Sequence, residues 1–311
     1  AFHAGAYYVQ EASSMLSVYA LRQVIDFSED LKILDLFNLG PHSTGCNLHP
    51  GHSAGRALIT PSNGMTVKTG VVVHLHYTDV WPDIEVSLRN LPGDFGLIVT
   101  LSAGNAEVER LVKRSFPQAE IRVVSNVGRD VRPFLELLDD GSLDRFDIVC
   151  KLHGKKSVRN GKPTVLGERW RRAALNDLIA GPGRFEEALA RFADDPQLGM
   201  LGPARFRIPN ERFSLHDAWS GNRSETLRIA ERLGFGSSFD LDFFAGTMFW
   251  ARPAALARLR GAGLGEPAVY SPEAGLTDGA VEYALERLFT TSVIASGFKL
   301  GALEPAPDVR F

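Results

Sequence analysis

Residues 121–157, IRVVSNVGRDVRPFLELLDDGSLDRFDIVCKLHGKKS, constrain the fold of this chain more than any other stretch. An apolar β-branched run ends in a glycine-centred turn that carries Asn126, Gly128, Arg129 and Asp130. A short helical segment follows, and a second apolar run then ends in Lys151, His153, Lys155 and Lys156. A strand, a helix and a strand in this order put both strand ends at one edge of a parallel sheet, the edge at which open α/β folds bind ligands. Residues 151–172 hold eight lysines and arginines against one acid, Glu168. So basic a segment at a strand end predicts an anionic ligand, such as a nucleotide diphosphate held by charge-assisted hydrogen bonds.

That charge is local. The chain has 34 basic and 37 acidic residues among 311, a net charge of -3, so no global basic field exists to hold a nucleic acid backbone, and none is expected as a partner. With 44% apolar residues it has enough to bury one large core or two modest ones. Cys46 and Cys150 lie far apart, and Cys150 falls in a predicted buried strand, which suits a reducing, cytoplasmic compartment. No apolar run approaches the roughly 20 residues that span a bilayer. The chain begins at Ala1 rather than Met, as a fragment would.

Apolar periodicity divides the sequence into residues 1–36, a helix and short strand; 37–70, a Gly-, Pro- and His-rich linker or irregular loop; 71–303, an unbroken α/β domain; and 304–311, a tail. Strands are predicted from Val71, Gly96, Ile121, Asp147, Leu198 and Phe243, the last running as FFAGTMFWA. Helices are predicted over 81–90, 105–115, 133–138, 167–179, 185–193, 224–233, 253–260 and 279–289. Alternation of this kind implies a mainly parallel sheet with helices on both faces.

Polar residues at predicted strand ends are the candidate contacts. His74 and His76 project from one face of the first strand, His74 as a hydrogen-bonded core residue and His76 with Tyr77 nearer the ligand edge. Thr100 and Ser102 end the second strand. Asp278 precedes a helix that carries Glu282 and Glu286 at i+4 and i+8. It fits a general base for an acceptor hydroxyl and equally an N-cap, with Glu282 the fallback base. His42, Cys46, His49 and His52 have a spacing that zinc accepts, but they match no known zinc module, and no metal or other cofactor is expected.

From Val71 to about Leu300 the ordered motifs VVVHLHYTDVWPDI, SNVGRDVRPFL, FDIVCKLHGKKS, GERWRR, DPQLGMLGP, WSGN, DFFAGTMFWARPAAL and DGAVEYALERLF resemble the rhamnan synthesis protein F family of bacterial polysaccharide and lipopolysaccharide assembly. The resemblance implies a GT-A-like α/β fold preceded by a partly irregular N-terminal segment. It also implies an inverting glycosyltransferase that moves L-rhamnose from dTDP-rhamnose to a glycan or lipid-linked glycan, in the cytoplasm or at the inner face of the cell membrane. Carried onto this sequence, His76, Tyr77, Thr100, Ser102, Asn126, Gly128, Arg129, Asp130, Lys151, His153, Lys155 and Lys156 would bind donor. Gly246 and Thr247 would face the acceptor, and Asp278 would be the base. One departure stands out: the strand that usually ends in Asp-X-Asp ends here in Lys151-Leu152-His153, which leaves a bridging divalent ion without its usual ligands.

HAGAYYVQEASSM and LKILDL in residues 1–36 resemble instead the start of Sun-type RNA cytosine-5 methyltransferase domains. The glycine-rich cofactor loop is replaced by FNLGPHSTG and the Pro-Cys motif is absent, so that site is incomplete. A non-catalytic glycan- or nucleotide-binding module of an assembly complex is the alternative to an enzyme, and an RNA methyltransferase the remoter one.

Overall fold

The computed structural model describes residues 67–154, 156, 158–159, 162–163, 165–209, 218–236, 241–272 and 279–306. The expectations for residues 1–66 lie outside them, as do Lys155, Asp278 and residues 307–311. In chain order the described elements are β1 Thr69–Leu75, α1 Trp81–Arg89, β2 Gly96–Leu101, α2 Ala106–Ser115, β3 Glu120–Val123, α3 Val131–Asp139, β4 Ile148–His153, β5 Val158–Arg159, β6 Lys162–Pro163, α4 Val165–Leu175, α5 Arg184–Asp194, β7 Leu198–Pro203, β8 Arg207–Pro209, α6 Arg223–Arg232, β9 Asp242–Phe244, β10 Phe249–Ala251, α7 Val281–Ala295 and β11 Lys299–Leu303.

Among the described residues, seven strands form one sheet in the order β11-β7-β10-β4-β1-β2-β3. Every pairing is parallel except those of β10, which runs antiparallel to β4 and β7. Because the sheet is covered on both faces, its interior strand β1 reads as a continuous apolar run, Val71 to Val73, with successive side chains buried on opposite sides. One face packs Trp81, Ile84, Val112, Trp170 and Phe192 from α1, α2, α4 and α5. The other packs Phe134, Ile229, Leu285 and Phe289 from α3, α6 and α7. This is the α/β architecture expected, with helices on both faces.

Several boundaries differ from the sequence pattern, each for a local reason. The single strand predicted from Phe243 is two: β9 pairs with β8 in a separate ribbon, and β10 joins the main sheet. Between them Gly246 (φ 86°) and Thr247 (φ 54°) adopt left-handed backbone that no strand continues through. The helix predicted over 253–260 is a 3-10 turn, Pro253–Leu256, extended by i→i+3 bonds such as Leu259 N–H to Leu256. The helix predicted over 167–179 stops at Leu175, and Asn176–Ala180 winds as a π segment. β11, short and interrupted by Gly301, has too weak a pattern to read from sequence. The linker ends earlier than expected, since β1 already begins at Thr69, and the tail begins packed: Ala306 is buried and its N–H donates to Asp177 at 2.8 Å.

Gly70 and Gly96 face each other in register across β1 and β2, and Phe146 covers both. A Cβ built on Gly96 would lie 2.5 Å from that ring. Gly96→Val should therefore destabilise the protein by about 1–3 kcal/mol through overpacking. A lowered denaturant midpoint with unchanged slope is the expected result.

Candidate functional site

The carboxyl ends of β1, β2, β3 and β4 meet at one edge, and the reversal of β10 brings Gly246 and Thr247 to that edge from the opposite direction. At its centre Lys151, 1% exposed, sends its ammonium to Asp130 Oδ2 at 2.5 Å, the Thr247 carbonyl at 2.9 Å and the Thr247 hydroxyl at 3.1 Å. Three acceptors match the three N–H donors of an ammonium. The rings of Phe134 and Phe249 lie 5.7 and 5.9 Å from the same nitrogen, within cation–π range. The Thr247 hydroxyl donates in turn to Asp130. His153 Nε2–H donates to the Gly246 carbonyl at 2.7 Å, and Gly246 N–H donates to Glu286 Oε1 at 2.5 Å.

These bonds account for the backbone here. A left-handed β-branched residue costs roughly 1–3 kcal/mol. Thr247 is held in that conformation because both its oxygens are engaged. Gly246 must be glycine, for a Cβ there would fall 1.8 Å from the Trp170 ring. Burial alone would raise the Asp130 carboxyl, but His153 and Lys151 beside it, with the donated hydrogen bonds, hold it well below the usual carboxylate range. Burial pulls the Lys151 ammonium down and Asp130 opposes this, so the two charges sustain each other.

The turn before α3 throws its side chains to both sides. Gly128 (φ 68°) and Arg129 (φ 51°) are left-handed in succession, and a Cβ on Gly128 would lie 2.6 Å from Arg132 Cβ. Asn126 is exposed, Arg129 is partly exposed, and Asp130 turns inward to Lys151. The Arg129 guanidinium stacks 4.8 Å above the Tyr283 ring, with Nε 3.9 Å from Glu282.

Beside this centre, the ends of β1 and β2 are linked by His76 and Ser102 at 2.8 Å, and His76 packs edge-on against Tyr77 at 4.6 Å. Lys156 pairs with Asp79 and lies 5.3 Å from the Tyr77 ring. Asn105 caps α2 and also donates to Thr78 at 3.3 Å.

The structure thus brings His76, Tyr77, Ser102, Asn126, Gly128, Arg129, Asp130, Lys151, His153, Lys156, Gly246, Thr247 and Glu282 to one edge. It corrects the reading of others. Thr100 is fully buried and its hydroxyl is taken by His74 Nδ1 at 2.9 Å, so it has no face to offer a ligand. Lys151 reaches the edge but is enclosed by its three acceptors, and supports the edge from within. The basic segment does not act as one patch, because Arg171 bonds Asp83 at 2.6 Å and Arg172 bonds Glu168 at 2.8 Å. Lys155 and Asp278 lie outside the described residues. Sequence reasoning passed over Arg132 and gave Glu286 no task; one signal was available, since Glu286 and Arg287 interrupt a run whose other residues are core.

Lys151→Met removes the ammonium that faces Asp130 and leaves that carboxylate with the Thr247 hydroxyl and the nearby His153 ring, and should cost about 3–5 kcal/mol in unfolding free energy. Adding Asp130→Asn should recover much of that loss in a double-mutant cycle. A second expectation concerns pH. Burial drives the His74 imidazole from 6.5 to about 3, Asp130 partly opposing, so the folded protein keeps it neutral while the unfolded chain protonates it below 6.5. Its contribution is full above that value and falls with pH toward about 3, by up to about 1.4 kcal/mol per pH unit. Urea melts of His74→Gln should show a correspondingly shallower loss of stability across that window.

The sequence profile of rhamnan synthesis protein F matches residues 55–298. Two curated relatives are each described as uncharacterized protein WxcX of Xanthomonas campestris pv. campestris, from strains B100 and ATCC 33913. Both are 30% identical over 236 residues, covering 75% of this chain and 32% of theirs. The chain therefore spans about a third of the length of these relatives. Among solved structures, S. aureus TarS 1-349 aligns with a TM-score of 0.40 at 11% identity, over 76% of this chain and 58% of that one. Its complex with UDP aligns at 0.39 and 12%, over 76% and 57%.

Proposed function

Because the chain belongs to the rhamnan synthesis protein F family, we propose that it is a GT-A-like glycosyltransferase domain that moves a sugar from a nucleoside-diphosphate donor to a growing cell-surface polysaccharide. The observation that carries this reading is the convergence, at the carboxyl edge of a parallel sheet, of an outward Asn126 and Arg129 with Lys156, His76 and Tyr77, all braced by the buried Lys151–Asp130 pair. In this reading Arg129 with Lys155 and Lys156 neutralises the diphosphate, and His76, Tyr77 and Ser102 lie toward the nucleoside. The donor is dTDP-rhamnose. Cations gathered there would stabilise the charge that accumulates on the departing nucleoside diphosphate, with Lys156 exchanging Asp79 for a phosphate oxygen.

Conversion of a β-linked donor to an α-linked product inverts the anomeric carbon, which calls for one base and direct displacement. Asp278 is assigned that base from its place in the sequence, and Glu282 is the alternative. At the end of β4, Lys151 is committed to Asp130 and His153 to Gly246, where a divalent ion would need carboxylates, so those residues do not fit a metal.

Calorimetry with dTDP should show binding that weakens at least ten-fold in Arg129→Ala and in Lys155→Ala/Lys156→Ala. Undiminished binding would remove these residues from the diphosphate site. Asp278→Asn should keep dTDP affinity and lose rhamnosyl transfer by two or more orders of magnitude; normal turnover would exclude it as base. Binding of dTDP-rhamnose with no transfer or hydrolysis in the parent protein would favour a binding module instead.

A further inference from the structure

Arg132 is fully withdrawn from solvent at the start of α3, yet its guanidinium faces back toward the turn that precedes the helix. Nε–H donates to the Val127 carbonyl at 3.0 Å and Nη2 to the Ser125 carbonyl at 3.0 Å. Nη1 donates to Glu136 Oε2 at 2.6 Å and to the Gly265 carbonyl at 3.3 Å. The first two bonds bracket Asn126. Both neighbouring carbonyls are drawn inward, which leaves the intervening side chain exposed. The same turn is closed by Val131 and Arg132 N–H groups on the Gly128 carbonyl, at 3.2 and 3.0 Å, and by a backbone bridge from Val127 to Pro272. Gly265 is itself fastened, its N–H on Asp139 Oδ2 at 3.2 Å, and the Tyr270 hydroxyl donates to the Leu264 carbonyl at 2.7 Å.

We propose that Arg132 is the positioning residue of the diphosphate site: without touching ligand, it fixes the backbone of residues 125–130 so that Asn126 and Arg129 face the donor while Asp130 stays on Lys151. This rests on the donor reading given above. The reason an arginine is needed is geometric. Only a planar fork of five N–H groups reaches two carbonyls of one turn, a carbonyl 133 residues away and a carboxylate at once. Lysine, a point charge on a flexible stem, satisfies at most part of that set, so Arg132→Lys keeps the charge and loses the shape of the turn.

The test is steady-state transfer from dTDP-rhamnose with Arg132→Lys, accompanied by calorimetry with dTDP and amide hydrogen exchange. The expected result is a donor KM raised about ten-fold with kcat within about two-fold, dTDP affinity weakened to match, and faster exchange confined to residues 125–130. A lesion of the fold alone would lower the active fraction, reducing apparent kcat at unchanged KM, and that result overturns the proposal. Should Arg132→Lys fail to fold, Glu136→Ala serves, because Glu136 lies on the exposed side of the guanidinium and its loss frees the fork to rotate. It should raise donor KM about three-fold, and an unchanged KM there also overturns the proposal. If dTDP binds the parent protein and both variants equally, positioning fails and the donor reading stands. If dTDP does not bind the parent protein, both fail.

Discussion

The ion pair between Lys151 and Asp130 is the interaction on which the carboxyl edge of the sheet depends. Placing an ammonium at 1% exposure beneath Phe134 and Phe249 is unfavourable by several kcal/mol unless a counter-charge and acceptors meet it. Asp130 supplies the charge from the turn before α3, and Thr247 supplies two oxygens from the turn before β10. One nitrogen on β4 therefore ties together two turns that are 117 residues apart in sequence. The reversed direction of β10 is what makes this possible, since a parallel strand would have carried Thr247 to the far edge of the sheet.

Around that pair the edge has two tiers. The inner tier is linked by hydrogen bonds among its own members: Lys151, Asp130, Thr247, His153 with Gly246, and Glu286 Oε1 on the Gly246 N–H. The outer tier, Asn126, Arg129, His76, Tyr77 and Lys156, keeps side-chain surface toward solvent. Such a division suits electrostatic preorganisation, in which outward groups meet developing charge while the inner network keeps them from relaxing. In the proposed transfer, the outer tier would face the diphosphate and the inner tier would contribute rigidity.

Much of this was legible in the sequence, and the illegible parts share a cause. Val71–Val73, Leu97–Val99 and Ile148–Cys150 announce buried strands through β-branched and apolar runs, and the polar residues that follow them do fall at one edge. The glycine of NVGRD signals a left-handed turn, and Gly128 is one. What could not be read is which polar side chains turn inward. Lys151 looks like a member of the basic run until Asp130 and Thr247 are folded against it. Arg132, just before the predicted helix, carries no local signal of its role, which comes from the Ser125 and Val127 carbonyls that accept its N–H groups. Thr100 looks like a strand-end hydroxyl but pairs with His74 in the core. In FFAGTMFWA, apolar content masked a turn whose left-handed backbone at Thr247 is stabilised only by tertiary bonds. Local pattern encodes burial and periodicity, whereas the partner of a buried charge is a long-range fact.

The most direct measurement of the central claim is hydrogen–deuterium exchange with and without saturating dTDP. Protection concentrated in residues 76–79, 102–105, 125–130 and 246–248 is the predicted outcome, because these segments meet at the edge that Lys151 and Asp130 organise. Protection confined to other surfaces, such as the 3-10 turn at Pro253–Leu256 or strand β11, with those four segments unchanged, would contradict the account.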